Sequence, residues 1–316
     1  MATVLITGGT GMIGQALTES LLKKGHNVII LTRNKEKLKP ANDIRYANWN
    51  IESGDIEKEV IERADYIIHL AGANVADERW TDKRKKEIID SRIKSGALIV
   101  KALQGISNNV KAVISASAIG WYGADPQIPN PNPFTEKDPA DDSFLGNTAR
   151  QWEATIQPVQ ELAKRLVIYR IGIVLSNKGG AYAEFAKPLK FGAATILGNG
   201  KQIVSWIHID DLAELFIYAI DNEKLHGAYN AVAPNPVSNK DLINTMKKAK
   251  GGFHITAHVP EFILKIMLGE MSIEVLKSAT VSSKKIEAAG YQFIFPTIGT
   301  ALFNLHKNQN ITKREA

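Results

Sequence analysis

The chain has 316 residues, a formal net charge of +6 and no cysteine. This length allows a large core, in one domain with a lobe or in two domains, and the lack of cysteine excludes disulfides, thiolate nucleophiles and cysteine-ligated metals. We also expect no metal site. Basic residues are dispersed, no export signal is visible and no apolar run could span a membrane. We therefore expect a cytoplasmic protein that binds an anionic small molecule rather than nucleic acid or a membrane.

Runs rich in Val, Ile and Leu predict strands along the first half of the chain, with helical patterns between them. The strands are predicted at residues 3–7, 27–32, 66–72, 112–118 and 166–175. The helices are predicted at residues 12–25, 57–64, 82–104 and 148–165. Alternation at this spacing is typical of an α/β fold with a doubly wound parallel sheet.

The pattern changes after Val174, where glycines and short apolar runs appear. We predict a large domain over residues 1–175, with residues 203–232 interleaved into it, and a smaller C-terminal substrate lobe over 176–305 that includes an extension at about 250–305. Within this half, Trp206 to Leu212 predicts a strand that turns into a helix. We expect an Asp at that junction to cap the helix, and Ser238 to cap the next one.

Four glycines separate the first strand from the first helix, and three of them, Gly8, Gly11 and Gly14, have the spacing G-x-x-G-x-x-G. In this context Gly8 permits a tight turn, Gly11 lets the backbone approach a pyrophosphate, and Gly14 lets helix and strand pack closely. The helix N-terminus then faces the phosphates. The pattern predicts a Rossmann fold that binds a dinucleotide, and a glycine-rich turn without a ligand is the alternative. The predicted cofactor contacts in this loop are Gly8, Thr10, Gly11, Met12, Ile13 and Gly14.

The end of the second strand discriminates between the two nicotinamide cofactors. It reads Thr32, Arg33, Asn34, followed by Lys35 and Lys37, and it lacks the acid that commonly binds the ribose hydroxyls of NAD. Arginine can bind a 2′-phosphate through two hydrogen bonds. We therefore predict that Arg33 and Asn34 contact the cofactor and that NADP is preferred over NAD, and a solvated arginine is the alternative.

The third strand ends in the sequence HLAG. Small residues at this edge let the adenosine side of a cofactor lie against the backbone, so Leu70, Ala71 and Gly72 are predicted contacts. Ser115, in the next strand, is a further predicted contact. His69 is predicted to be a packed core residue rather than a ligand.

The motifs ITGGTGMIG, HLAG, SASAIGWYG and WIHIDDLAELF occur in this order, and with them the chain resembles the extended short-chain dehydrogenase/reductases, as an atypical member. ANVADERWTDKRKKEIIDSRIKSG, RQWEA, RIGIVLSNKGG, APNPVSNKDL and LGEMSIEVL are similar to segments of the epimerase-family group named after nucleoside-diphosphate-sugar epimerases. The resemblance covers essentially the whole chain. It implies a doubly wound sheet, a bound nicotinamide dinucleotide and a substrate pocket formed by the C-terminal lobe.

The resemblance also implies catalysis by a Ser or Thr with a Tyr-x-x-x-Lys pair, in which Tyr exchanges a proton with the substrate and Lys lowers the pKa of Tyr. None of the eight tyrosines has a lysine four residues later. The serine is retained as Ser117, while Arg92 occupies the position of the family's Asn. Tyr122 and Glu153 are candidates for the acid–base role, and a packing role for Tyr122 is an equal alternative.

The segment over residues 123–144 contains five prolines and follows the strand that carries Ser117. Its length and composition predict a lid over the cofactor cleft, with a stiff surface loop as the alternative. Arg79, Trp80 and Arg92 are predicted to line an anion-binding pocket, with surface charges and a core Trp as the alternative. The candidate substrate-binding residues are Arg79, Trp80, Arg92, Glu136 and Lys201.

These features predict an NADP-dependent epimerase, dehydratase or reductase, acting on a small polar substrate that is nucleotide-linked or not, with an active site that lacks Tyr-x-x-x-Lys. The alternative is a catalytically silent NADP-binding sensor or partner-binding protein. The long helix at 82–104 offers a face for a homodimer.

Overall fold

The computed structural model describes residues 1–34, 36 and 43–315. The strands are β1 (Thr3–Thr7), β2 (Asn27–Thr32), β3 (Ile44–Asn50), β4 (Asp55–Ile56), β5 (Tyr66–His69), β6 (Ala112–Ala118), β7 (Arg165–Ile171), β8 (Ile173–Leu175), β9 (Ala193–Leu197), β10 (Ile203–Val204), β11 (Trp206–His208), β12 (Gly227–Ala231), β13 (Val237–Ser238) and β14 (Ile255–Val259). The helices are α1 (Met12–Lys23), α2 (Lys58–Arg63), α3 (Asp82–Gly105), α4 (Phe144–Ile156), α5 (Gly180–Lys190), α6 (Ile209–Asp221), α7 (Asn239–Lys250), α8 (Glu261–Leu268), α9 (Ser272–Leu276), α10 (Lys284–Ala288) and α11 (Ile298–Glu315).

Eight strands form one sheet in the order β12–β7–β6–β5–β1–β2–β3–β4. Neighbouring strands are parallel except for β3 and β4. The chain runs from β1 outward to β3 and then crosses back to β5, so the carboxyl ends of β1 and β5 border a crevice. Open α/β sheets bind their ligands at such a crevice.

Helices cover both faces of the sheet because its central strands are apolar on both sides. Leu17 of α1 and Phe216 of α6 pack with one set of strand residues. Ile61 of α2 and Leu103 of α3 pack with the opposite set. The predicted α/β fold with a doubly wound parallel sheet is confirmed.

Several element bounds differ from the sequence expectation for local physical reasons. The run at 166–175 divides at Gly172, where a Cβ would lie 2.7 Å from the Ser205 carbonyl oxygen, and the chain leaves the sheet there to form β8. The helix predicted at 148–165 begins at Phe144 and gives way to 3-10 turns after Ile156, because Pro158 lacks the N–H that a further α-turn requires. β3 was not predicted, since only two of its seven residues are buried.

Outside the main sheet, the C-terminal half forms three two-stranded sheets, β8–β11, β9–β14 and β10–β13. Trp206, Leu242 and Leu302 belong to a core that α5, α7 and α11 enclose. α7 begins with the predicted cap, in which Ser238 Oγ accepts a hydrogen bond from Asp241 N at 3.0 Å. β12 instead returns to the main sheet beside β7.

The junction between β11 and α6 corrects one prediction. His208, not an aspartate, caps α6, and its Nδ1 accepts from the Asp210 backbone N–H at 3.1 Å. The buried carboxylate of Asp211 accepts from the backbone N–H groups of Ile294 and Phe295 at 2.7 and 2.9 Å. Asp211 therefore holds the C-terminal segment against α6.

Candidate functional site

The loop between β1 and α1 touches its surroundings through backbone atoms. Gly8 has φ +71°, and a Cβ there would lie 2.9 Å from the Leu70 carbonyl carbon. A Cβ on Gly14 would lie 2.5 Å from the Gly8 carbonyl oxygen. A side chain at Gly8 or Gly14 would collide with these backbone atoms. The loop, the first turn of α1 and the end of β5 therefore pack together through their backbones.

The N-terminus of α1 is open. Its N-cap residue, Gly11, has no side chain to cap the helix, and the first turn has no acid. The first helical bond runs from Gln15 N to Gly11 O at 2.9 Å. Over the described chain, the backbone N–H groups of Met12, Ile13 and Gly14 have no hydrogen-bond acceptor. Free N–H groups at the positive end of a helix dipole are suited to a phosphate group.

A cleft of about 790 Å³ lies at this end of the sheet, beside the glycine loop and the carboxyl ends of β2 and β5. The predicted cofactor residues that line it are Gly8, Thr10, Gly11, Arg33, Asn34, Leu70, Ala71 and Gly72. The predicted residues outside the lining are Met12, Ile13, Gly14 and Ser115. At the ends of β1 and β5, Thr7 Oγ1 accepts from the N–H groups of Leu70 and Ala71 at 3.2 Å each, which joins the two strands at the border of the cleft.

At the edge of the cleft, the positive charge of Arg33 is not neutralised by any acid among the described residues. Arg33 is exposed, and its side chain has no ion pair or hydrogen bond to any residue that the structure describes. Lys35 and Lys37, also predicted here, lie outside the described residues. The acids that line the cleft are paired with bases, namely Glu52 with Lys94, Asp77 and Glu87 with Arg84, and Asp90 with Lys86. Arg33 is therefore available to an anionic ligand.

The candidate catalytic residues come together, but inside the core. Ser117 Oγ donates a hydrogen bond to Glu153 Oε1 at 2.7 Å. Arg170 donates to both carboxylate oxygens of Glu153, from Nε at 2.8 Å and from Nη2 at 3.0 Å. Ser117, Glu153 and Arg170 are 2%, 6% and 3% exposed. Because both oxygens of Glu153 are engaged, these contacts favour a positioning role for Glu153 over a free acid or base.

Tyr122 belongs to the same buried network. Its hydroxyl donates to Asn230 Oδ1 at 2.7 Å and accepts from Arg170 Nη1 at 3.1 Å. Its ring stacks on Phe134 with 5.2 Å between centroids. Burial raises the pKa of Tyr122 to about 12, so the phenol stays protonated at neutral pH. The packing alternative for Tyr122 fits these contacts better than the acid–base role.

Arg79 and Trp80 join neighbouring segments. Arg79 Nε donates to the Met267 carbonyl at 3.0 Å, in the last turn of α8. Trp80 Nε1 donates to the Val75 carbonyl at 2.8 Å, and its ring meets Phe144 edge-on with centroids 4.8 Å apart. Their polar groups are thus engaged with protein.

Arg92 is a partly buried cation at the end of β5. Its Nη1 donates to the Ala73 carbonyl at 3.0 Å, and its Cζ lies 4.9 Å from the centre of the Trp152 ring. No carboxylate among the described residues pairs with it. Burial first, and the charge of Arg84 second, lower the pKa of Arg92 to about 10. The guanidinium stays charged at neutral pH without a neutralising acid.

The two other candidate substrate residues lie apart. Glu136 Oε1 accepts from the Asn230 backbone N–H at 2.7 Å, which places Glu136 beside the buried network. Lys201 lies in the exposed turn between β9 and β10, where its backbone N–H bonds to Asn199 Oδ1 at 2.8 Å. No contact of the described residues joins Lys201 to the other candidates.

The proline-rich segment at 123–144 is attached to the C-terminal half. Asp125 Oδ2 accepts from Ser278 Oγ at 2.7 Å, and Asp125 Oδ1 accepts from the Thr280 backbone N–H at 2.9 Å. The Phe134 N–H donates to the Thr280 carbonyl at 2.8 Å. None of the residues in this segment lines the cleft. The segment is therefore packed against the C-terminal half, and its role as a lid, like the alternative of a stiff surface loop, stays a prediction.

His69 is the packed core residue that the sequence predicts. Its Nδ1 lies 3.1 Å from Ser115 Oγ and its Nε2 lies 2.9 Å from Ser95 Oγ. Burial, with a smaller effect of the Arg92 charge, lowers its pKa to about 3. The Ser115 hydroxyl, predicted to contact the cofactor, faces His69 in the core instead.

Sequence reasoning missed Arg170 and Asn230, which connect the buried network. A signal was present, because Arg170 is the one charged residue inside the apolar run LVIYRIGIVL. A charge in a buried strand requires a buried partner. Which residue pairs with it could not be read from the sequence.

The described part of the chain offers neither a metal site nor a membrane-spanning helix. No group of three or more His, Asp or Glu side chains there could hold a metal ion. None of the helices described is long and apolar enough to cross a membrane.

Comparison with known proteins identifies relatives along the whole chain. Residues 4–231 match the model of the NAD dependent epimerase/dehydratase family, and residues 259–305 match a domain of unknown function, DUF1731. The epimerase family protein YfhF of Bacillus subtilis is 36% identical over 303 residues, which are 96% of this chain and 97% of that protein.

Solved structures also match this chain over nearly its whole length. The crystal structure of the human epimerase family protein SDR39U1 with NADPH superposes with a TM-score of 0.85 at 30% identity, covering 97% of this chain and 99% of that one. A UDP-N-acetylglucosamine 4-epimerase from Bacillus cereus has a TM-score of 0.75 at 22% identity, covering 97% and 98% of the two chains, which shows the shared fold.

Proposed function

Because the chain belongs to the NAD dependent epimerase/dehydratase family, we propose that it is an NADP(H)-dependent enzyme, an epimerase or reductase of a small polar substrate. The observation that carries the proposal is a single cleft that begins beside the open N-terminus of α1 and is lined by Arg33, which pairs with none of the described residues. The family membership supports a nicotinamide dinucleotide. Arg33 supports NADP(H), which carries a 2′-phosphate, over NAD(H).

The residues of the cleft, together with the adjoining first turn of α1, fit this cofactor. The backbone N–H groups of Met12, Ile13 and Gly14 would bind the diphosphate, and Arg33 would bind the 2′-phosphate. An acid at the end of β2 would repel that phosphate, and Thr32, Arg33 and Asn34 include none. The human relative named above was crystallised with NADPH, which supports the same choice here.

When bound, NADP(H) donates or accepts a hydride at its nicotinamide ring. The chain would hold the substrate next to the ring, and Ser117 is the retained family serine for this task. The Arg170–Glu153 pair directs the Ser117 proton towards Glu153 Oε1, which leaves the serine oxygen able to accept a hydrogen bond. Ser117 would bind and orient the substrate in this arrangement, and Glu153 would position Ser117.

The charge of Arg92 bears on the substrate. A partly buried guanidinium without a carboxylate partner is stabilised by a bound anion. Arg92 lies against Gly72, whose added Cβ would be 3.0 Å from its Cζ, and Gly72 lines the cleft. This favours a substrate with a phosphate or carboxylate group, such as a nucleotide-linked sugar.

The first test is calorimetric titration of the full chain with NADPH and NADH. We expect tight binding of NADPH, and a loss of about 10- to 100-fold in Arg33→Ala, the effect of about 1.5–3 kcal/mol for a charge-assisted hydrogen bond. NADH binding should be unchanged in that variant. The control is Arg63→Ala, an exposed arginine of α2 paired with Glu59. Equal affinity for both cofactors, or none for either, would reject the proposal.

Turnover is tested separately, by following NADPH oxidation in the presence of a panel of carbonyl compounds and nucleotide-linked sugars. Oxidation that disappears in Ser117→Ala would support an enzyme. Tight NADPH binding without turnover on any member of the panel would favour the silent sensor, for which the buried state of Ser117 and Glu153 is the supporting observation.

A further inference from the structure

Two surface turns each present a phenylalanine that is almost fully exposed. Phe191 follows α5 and is 88% exposed, and Phe253 follows α7 and is 87% exposed. Ile255, the first residue of β14, is 65% exposed. We name Phe191, Phe253 and Ile255 the phenylalanine surface. Exposed aromatic side chains cost solvation free energy, so a contiguous group of them marks a binding surface.

The sheet register brings the two turns together. β9 and β14 are parallel neighbours in which Ala193 pairs with Ile255, so Phe191 and Phe253 each lie two residues before the same pair. The Ile255 N–H donates to the Gly192 carbonyl at 2.9 Å, which joins the turns directly. Both phenylalanines therefore project from one end of the β9–β14 sheet.

The two helices that lead into these turns end in basic residues. The last turn of α5 carries Lys187 and Lys190, and the last turn of α7 carries Lys247, Lys248 and Lys250. No acid occurs in residues 185–203 or 242–260, the two segments that contain the turns. Lys187 pairs with Glu184 at the start of its segment. Five lysines therefore lie in the last turns of the two helices that precede the exposed phenylalanines.

We propose that the phenylalanine surface docks reversibly on an anionic lipid bilayer, with Phe191, Phe253 and Ile255 inserted among the headgroups. Side chains that project from convex turns fit a deformable layer, and lysines behind them match anionic headgroups. The absence of a long apolar run led us to expect no membrane partner from the sequence. This surface forms only when turns far apart in the chain meet.

The test is sedimentation of the full chain with vesicles of phosphatidylcholine alone or with added phosphatidylglycerol. We expect binding to the anionic vesicles that weakens with salt, and little to the neutral ones. Phe191→Ser with Phe253→Ser should weaken binding about 100-fold, because the burial of each Phe side chain contributes to the free energy of transfer from water to the bilayer. Lys190→Gln with Lys248→Gln should weaken it about 10-fold.

The matched control is Phe303→Ser, which removes a phenylalanine that is 54% exposed on α11 and should leave binding unchanged. Three results would overturn the proposal: no binding to anionic vesicles, equal loss in the control, or a double variant that converts a dimer to a monomer, which would assign the surface to a second copy of the chain. NADPH titration of each variant shows that its fold is intact, and this result is independent of vesicle binding.

Discussion

The carboxylate of Glu153 and the guanidinium of Arg170 form a two-point ion pair within the core, with Nε–Oε1 and Nη2–Oε2 distances of 2.8 and 3.0 Å. Glu153 comes from α4 and Arg170 from β7, so the pair fastens the helix to the sheet next to Ser117. The same guanidinium also lies 3.6 Å from the centre of the Trp121 ring. Glu153, a candidate for the acid–base role, thus stabilises the packing of α4 against β7.

Removing one member of this pair should be costly. In Glu153→Gln, Arg170 would remain buried with its charge uncompensated, and we expect the free energy of unfolding in urea to fall by about 3–5 kcal/mol. The control is Glu214→Gln, which breaks the surface pair with Lys24 and should cost no more than about 1 kcal/mol. Similar losses in both variants would contradict the buried pair.

Gly14 should tolerate no side chain. Its added Cβ would lie 2.5 Å from the Gly8 carbonyl oxygen, a backbone atom that cannot move aside. Gly14→Ala should lower the free energy of unfolding by about 1–3 kcal/mol and weaken NADPH binding. Gly105→Ala, at a helical glycine with open space around it, should be neutral or stabilising by up to about 1 kcal/mol. Unchanged cofactor affinity in Gly14→Ala would argue against the loop as the phosphate site.

His69 should make stability depend on pH. The unfolded chain protonates it near pH 6.5, whereas the folded chain keeps it neutral down to about pH 3. Between these values the unfolded state binds more protons, so the free energy of unfolding falls as pH is lowered. His69 should contribute a loss of about 2 kcal/mol between pH 7 and pH 5.

The measurement is urea unfolding at both pH values for the unaltered chain and for His69→Gln, which should show a pH dependence smaller by that amount. His226→Gln, at an exposed histidine, should retain the full dependence. An undiminished dependence in His69→Gln would show that other groups, such as the buried His208 with its lowered pKa, cause it.

Substitution of Asp211 should lower the free energy of unfolding, whereas substitution of its neighbour Asp210 should not. Asp211→Asn can accept only one of the two backbone N–H bonds from Ile294 and Phe295, and we expect a loss of about 2–3 kcal/mol. Amide hydrogen exchange at these two positions should become faster. Asp210→Asn, whose side chain is 55% exposed, should leave both quantities nearly unchanged. Equal effects of the two substitutions would refute the assigned role of Asp211.

Much of the sheet follows from local sequence. The bounds of β1, β2 and β6 were predicted to the residue, because apolar runs bounded by glycine or polar residues define buried strands. β3 was missed because its strand character depends on pairing with β2 rather than on its own composition. The attachment of the proline-rich segment was not predicted, because the hydrogen bonds of Asp125 go to residues about 150 positions later, at 278–280.

The sequence by itself determined the Rossmann loop and the arginine that stands after β2 where an acid is common, since both depend on residues that are adjacent along the chain. It also determined that none of the eight tyrosines has a lysine four residues later. Only the tertiary structure decided that Ser117, Glu153, Arg170 and Tyr122 form one buried network, and that Phe191 and Phe253 share one surface. The reason is that a hydrogen-bond partner or a neighbour across a sheet is selected by three-dimensional proximity and exclusion of water, and local sequence specifies neither.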